Sequence, residues 1–127
     1  MSRLMSVALT EQAVRDRRKT VTRRLGWKHL KPGDQLTLCR KVMGRKRADG
    51  TVDPLVRIAE VEIIDVRREP LNAITDDDVA REGFNDPAWQ ADPWGPAGCF
   101  VAFFCQHMRC DPEDWVTRIE WRYLEAS

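Results

Sequence analysis

What the chain lacks narrows it first. No stretch of its 127 residues approaches the ~20 apolar residues of a membrane-spanning helix. The opening residues, Met1 to Val7, are too short and too polar for a signal peptide. A soluble cytoplasmic protein with no membrane partner is therefore expected. The four cysteines, Cys39, Cys99, Cys105 and Cys110, come with no sign of secretion, so free thiols in a reducing compartment are expected rather than a disulfide framework. There is no internal repeat and no low-complexity tract. What remains is a chain of one domain's length, residues 1–127, whose 43% hydrophobic content can supply a core without disulfide or metal staples.

A net charge of +1 conceals a division. Residues 1–47 hold 14 Lys and Arg against 3 Asp and Glu, a balance of +11, and residues 48–127 hold 7 against 17, a balance of −10. A region so basic attracts phosphates, unless the two halves pair with one another across the fold. Its densest part is Arg15 to Arg24 (RDRRKTVTRR), with five Arg and one Lys in ten residues. Arginine grips a phosphate through two donors at once, whereas lysine acts as a compact point charge. Arg17, Arg18, Arg23, Arg24 and Lys28, joined by Arg45, Lys46 and Arg47, thus form a candidate groove for RNA, a nucleotide or single-stranded DNA.

Two helices carry start signals. Thr10 stands as N-cap before Glu11 to Arg17, with Leu9 and Val14 placed as a hydrophobic staple. Thr75 stands as N-cap of the second, Asp76, Asp77 and Asp78 fill its first turn where the helix dipole favours anions, Ile74 and Val79 make the staple, and Gly83 provides the stop after Glu82. Between them the period is two. Lys31-Pro32-Gly33-Asp34 predicts a type II turn, followed by a strand from Gln35 to about Val42. Leu55 to Arg68 predicts a long strand whose phase shifts at Ile63 and Ile64, the mark of a bulge. Val116 to Leu124 alternates Thr117, Ile119, Trp121 and Tyr123 inward with Arg118, Glu120 and Arg122 outward. Residues 44–54 and 85–98, rich in Gly, Pro and Asp, are expected as loops, and Cys99 to Met108 as a buried helix.

Several residues carry possible chemistry. Lys19 sits among Arg17, Arg18, Arg23 and Arg24; like charges, with shielding from water, would press its pKa down. A neutral Lys19 could take the hydroxyl proton of Thr22 and make it a nucleophile, given a turn or bulge that brings the two together. Cys105-x-His107-x-x-Cys110, with Cys99 as a fourth ligand, has half the spacing of a zinc site, but no second standard pair accompanies it and ordinary packing accounts for it, so no metal or other cofactor is expected. Trp89 and Trp94 lie in the Pro-rich loop, where they can stack on bases or pack on the barrel. Trp27, Trp115 and Trp121 are expected in the core.

Residues 18–24 (RKTVTRR), the Gly33-Asp34 turn and the capped helix ending in Glu82 together resemble the ASCH domain family, whose signature is a GxKxxxxR-like element followed by a strand. The glycine two residues before the lysine is Arg17 in this chain. The RRLGW, LKPGD, REPLNAITDDD and VTRIEW segments resemble the prophage-type group. The resemblance implies an α+β fold, a PUA-like small β-barrel of about five to six mostly antiparallel strands flanked by two to three short helices, with a cleft for RNA or a modified nucleoside; a monomer or weak homodimer is expected as the assembly. Small bacterial members are similar to amidohydrolases that remove the acetyl group from N4-acetylcytidine with a Lys, a Thr and a Glu, which fall on Lys19, Thr22 and Glu82; Arg24 matches the arginine that closes the motif. Other members are similar to metal-independent ribonucleases or to RNA-binding modules.

Overall fold

The computed structural model describes residues 3–40, 48–51 and 54–125. It is an α+β structure in which a five-stranded sheet curls into a half-barrel of the PUA-like type. The strands are β1 (Arg3–Ser6), β2 (Val21–Arg24), β3 (Gln35–Cys39), β4 (Arg57–Pro70) and β5 (Trp115–Tyr123), ordered β1-β3-β4-β5-β2. All neighbours are antiparallel except β1 and β3, which run parallel. The helices are α1 (Glu11–Arg15), α2 (Asp76–Arg81), α3 (Pro87–Ala91) and α4 (Gly95–Met108), one more than expected. None among the described residues is long and apolar enough to cross a membrane.

The long strand β4 holds the sheet together, and its bulge falls where the phase shift placed it. Ile63 pairs with Trp121 and Asp65 with Glu120, so Ile64 is the extra residue; it faces solvent, and Val66 returns to the core. The Lys31–Asp34 turn also forms, with Gly33 at φ 96° and the Asp34 N–H donating to the Lys31 carbonyl at 3.1 Å. Inside the curl lie Met5, Leu36, Leu38, Val61, Ile63, Ile119 and Trp121, all essentially inaccessible to water, each stabilising the fold by about 1.5–3 kcal/mol. A second cluster, built on Leu71, Val79, Phe100, Phe104 and Val116, joins α2 and α4 to the ends of β4 and β5.

Local expectations were met unevenly. The Thr75 hydroxyl caps α2 by accepting from the Asp78 N–H at 3.2 Å, and Ile74 and Val79 are both buried beneath it. Thr10 makes no such bond, because a 3-10 turn over Ala8–Thr10 runs directly into α1; Leu9 is 68% exposed and staples nothing. Residues 85–98 are not one loop. Pro87 and Pro96 each stand in the first turn of a helix, where the missing N–H costs nothing and the fixed φ suits the turn. Asp86 caps α3, and Asp76 of α2 accepts from the Ala97 N–H at 2.9 Å, fastening α4 to α2. Trp121 is core and Trp27 packs partly on it, but Trp115 is largely exposed. Arg118, assigned to the outward face of β5, does face away from the curl, yet α2 covers it and it is buried. Residues 41–47 and 52–53, which take in the end of the expected strand at Val42 and much of the expected loop 44–54, lie outside the described residues.

Candidate active site

Between the two edge strands the half-barrel stays open, and the cationic segment enters that seam. Arg24 crosses it: its Nη2 donates to the Ser6 carbonyl of β1 at 2.7 Å while its Nε donates to the Thr22 hydroxyl at 3.3 Å. Beneath the bridge is a cavity of about 220 Å³ whose lining includes Lys19, Thr22, Arg24 and Glu82. Thr22 and Arg24, two apart on β2, share a strand face. Lys19 precedes the strand, which removes the difficulty that strand geometry would place Lys19 and Thr22 on opposite faces.

The backbone of Lys19 is fixed on every side. Its N–H donates to the Ala13 carbonyl at 3.1 Å, and its carbonyl accepts from the Trp121 indole at 3.1 Å and from the Tyr123 hydroxyl. The next residue ties the segment to α2, the Thr20 N–H donating to the Arg81 carbonyl at 2.8 Å. Gly83 makes this approach possible. It has φ 100°, and a Cβ there would lie 2.8 Å from the Ala13 Cβ and 3.4 Å from the Lys19 Cβ. A bulkier residue would push the end of α2, and Glu82 with it, off Lys19.

The amine of Lys19 donates to the Glu82 backbone carbonyl at 2.6 Å and to its Oε1 at 3.2 Å. Both side chains are almost wholly withdrawn from water. Burial pushes the Lys19 pKa down from its ordinary value; Glu82 opposes the shift, and Arg24 and Arg23 add to it. The other carboxylate oxygen of Glu82 accepts from Arg23 Nη1 at 3.1 Å. Arg23 continues through Nη2 to Asp78 at 2.6 Å and Glu69 at 3.3 Å, and Asp78 in turn takes Arg118 through two bonds of 2.7 and 3.1 Å. Burial works to raise the Asp78 pKa, but the hydrogen bonds and charges of Arg118 and Arg23 outweigh it and hold the carboxyl well below the usual carboxylate range. Glu82 is thus clamped between the Lys19 amine and a buried ionic chain that fixes its carboxylate plane.

Arg24 differs from Arg23. Among the described residues it forms no ion pair with a carboxylate within 4.0 Å, although burial lowers its pKa and Glu82 opposes that shift. It is a guanidinium held over the cavity by neutral acceptors, with donors to spare.

The other predicted residues fall elsewhere. Arg17 and Arg18 are exposed; Arg18 meets Asp16 at 3.4 Å, and Arg17 lies over the Tyr123 ring at 5.4 Å. Arg17 has φ 59°, so the position that carries glycine in the resembled motif does require the left-handed conformation that glycine prefers. Lys28 is exposed beyond β2. Arg45, Lys46 and Arg47 lie outside the described residues. Trp89 stacks on Phe84 at 5.4 Å and packs into the second cluster, whereas Trp94 is 74% exposed in a shallow groove with Ile74 and Val101, away from the cavity. The Cys105 and Cys110 sulfurs lie 4.0 Å apart, but the His107 ring instead packs on Phe103 at 4.4 Å; no group of three or more metal-ligating side chains occurs among the described residues.

Sequence reasoning missed the far wall of the cavity. Phe84, Phe100, Phe103, Phe104 and His107 supply it. The signal was present, since positions 100, 103, 104 and 107 share one helix face.

No family model and no curated protein matches the sequence. Solved structures do match the fold. A protein of Enterococcus faecalis V583 described by the family model DUF984 aligns with a TM-score of 0.62 over 98% of this chain and 80% of its own, at 16% identity. An ASCH domain from Lactobacillus crispatus JV V101 aligns with a TM-score of 0.52 over 91% of this chain and 70% of its own, also at 16% identity. The chain therefore has the fold of an ASCH domain.

Proposed function

We propose that this protein is an amidohydrolase acting on a modified nucleoside, with N4-acetylcytidine as substrate, and that Lys19, Thr22 and Glu82 carry the reaction. One observation supports this above the rest: a lysine amine whose pKa burial pushes down is held by Glu82 in a small cavity that Thr22 also lines. A neutral amine donating its two hydrogens to the Glu82 carbonyl and carboxylate keeps its lone pair for a hydroxyl proton. The Thr22 oxygen accepts from Arg24, which leaves its own hydrogen free to be given up.

The steps balance without an added reagent other than water. Lys19 takes the Thr22 proton as the oxygen attacks the acetyl carbonyl carbon, forming a C–O bond. The negative charge that develops on the carbonyl oxygen is met by the Arg24 guanidinium. Collapse breaks the C–N bond, and the Lys19 ammonium returns the proton to the departing N4 amine, releasing cytidine and leaving an acetyl ester on Thr22. Water, deprotonated by Lys19, then attacks the ester carbon; the bond to the Thr22 oxygen breaks, the Lys19 ammonium returns the proton to that oxygen, and acetic acid leaves and loses its proton to solvent. Glu82 orients the amine and balances the ammonium that forms.

Charge pairing favours a nucleoside over a polynucleotide. Around the cavity Arg23 is already matched to Glu82, Asp78 and Glu69 and the Lys19 amine is neutral in this reading, so the single guanidinium of Arg24 is too little positive charge to bind a row of phosphates. The volume agrees, being smaller than the roughly 300–1,000 Å³ of pockets for drug-sized ligands. A non-catalytic RNA-binding role would rest instead on the exposed Arg17, Arg18 and Lys28, with Arg45, Lys46 and Arg47.

Acetate release from N4-acetylcytidine tests the reading. Thr22→Val, which keeps side-chain shape, and Glu82→Gln are expected to lower kcat by about 10²–10⁴-fold, while Thr22→Ser retains activity. Unchanged turnover in Thr22→Val and Glu82→Gln, with thermal unfolding unaltered, would remove these residues from the chemistry. Fragmentation of RNA on a gel would point to a ribonuclease, and RNA affinity falling steeply with salt, without turnover, to a binding module.

A further inference from the structure

The polar pole of the cavity is matched by an apolar pole at its mouth. The face of α4 that lines it continues past the buried Phe100 and Phe104 to Phe103, His107 and Met108, which remain partly or largely exposed. Across the opening stands Leu9, presented by the 3-10 turn before α1 and 68% exposed. Leu9 packs into neither core cluster, and Met108 is 44% exposed at the helix end.

The aromatic wall is rigid. Phe84 contacts the rings of Phe100 and Phe103 edge-on at 5.5 and 5.4 Å and is backed by Trp89 at 5.4 Å. Phe103 and His107 lie with ring centres 4.4 Å apart, at an interplanar angle of 35°. Such a surface favours a flat ring with an exposed face, because ring stacking adds about 0.5–1.5 kcal/mol beyond area burial. A flexible aliphatic amine gains no such term.

We infer that Leu9 on one side and Phe103, His107 and Met108 on the other form a clamp for the planar, uncharged heteroaromatic ring of the substrate's leaving group, and that this clamp sets specificity. The inference rests on the reaction proposed above. It assigns α4 the task of choosing the amine, while the seam between β1 and β2 attacks the acyl group. The two tasks are separable because they use opposite walls.

Steady-state kinetics and calorimetry test it together. Phe103→Leu and Leu9→Ser are expected to raise KM for N4-acetylcytidine about tenfold with kcat nearly unchanged, since a contact made equally in ground and transition states acts on binding alone. Phe103→Tyr should restore KM. Calorimetric binding of cytidine, the product, should weaken in step with KM. If the wild type releases acetate while KM and cytidine affinity are unmoved in Phe103→Leu and Leu9→Ser, the clamp is wrong and the reaction stands. If cytidine binds the wild type and is lost in those variants without any turnover, the clamp stands and the reaction falls. Absence of both turnover and cytidine binding overturns both.

Discussion

Residues 15–18 and 19–24 belong to one cationic run, yet the fold treats them as opposites. Arg15 and Arg18 are exposed and pair with carboxylates close in sequence, Glu11 and Asp16. Lys19 and Arg23 are buried, and their partners Glu69, Asp78 and Glu82 come from the acidic half of the chain. Exposed pairs of the first kind contribute about 0–1 kcal/mol. Breaking a buried pair of the second kind costs about 3–5 kcal/mol, because it leaves a charge stranded away from water. The contrast teaches that a basic stretch is a phosphate site only where its charges are left over after folding. Here Lys19 and Arg23 of the inner half are met by carboxylates inside the fold, and Arg24 is held by neutral acceptors.

The sharpest way to break the comparison is at Asp78, which holds Arg23 and Arg118 together. Asp78→Asn is expected to lower stability by about 3–5 kcal/mol in urea unfolding, and to cut turnover as Glu82 loses its support. The native Asp78 pKa lies below the unfolded one, so its stabilisation is present above roughly pH 4 and is lost as pH falls further. Full stability in Asp78→Asn would mean the buried chain is incidental.

Smaller effects are expected on the outer half. Arg18→Ala should change stability by no more than about 0.5 kcal/mol and leave KM for the nucleoside unmoved. Arg17→Gly should stabilise by up to about 1 kcal/mol, since glycine relieves the left-handed strain at φ 59°, and should leave turnover intact. A large loss of activity in either variant would put the outer arginines at the site after all.

Much of this frame was legible in the sequence. The Thr75 cap with its three aspartates, the Pro-Gly turn and the bulge at Ile64 rest on signals within a few residues, whereas the grouping of Lys19, Thr22 and Glu82 comes from the resemblance to the ASCH family. What escaped depends on distant partners. Four residues at β1 cannot announce a parallel pairing with β3, and nothing near Arg23 or Arg118 shows that Asp78 will bury both. Pro87 and Pro96 looked like loop residues because proline disfavours helix interiors, whereas both sit in first turns, where that penalty is absent. Thr10 failed as a cap because the turn before it was already helical, a fact of backbone path rather than composition.

The state of the Lys19 amine decides the central claim. Its pKa is lower folded than unfolded, so between those two values the unfolded chain holds the extra proton and stability rises with pH. A pH titration of the lysine ε-carbons by NMR reads it directly. Of the five lysines, one should titrate below the ordinary value of about 10.4, vanish from the spectrum of Lys19→Arg, and coincide with the rise of acetate release with pH. Five lysines titrating together near the ordinary value would contradict a neutral base at Lys19, and with it the chemistry assigned to this seam.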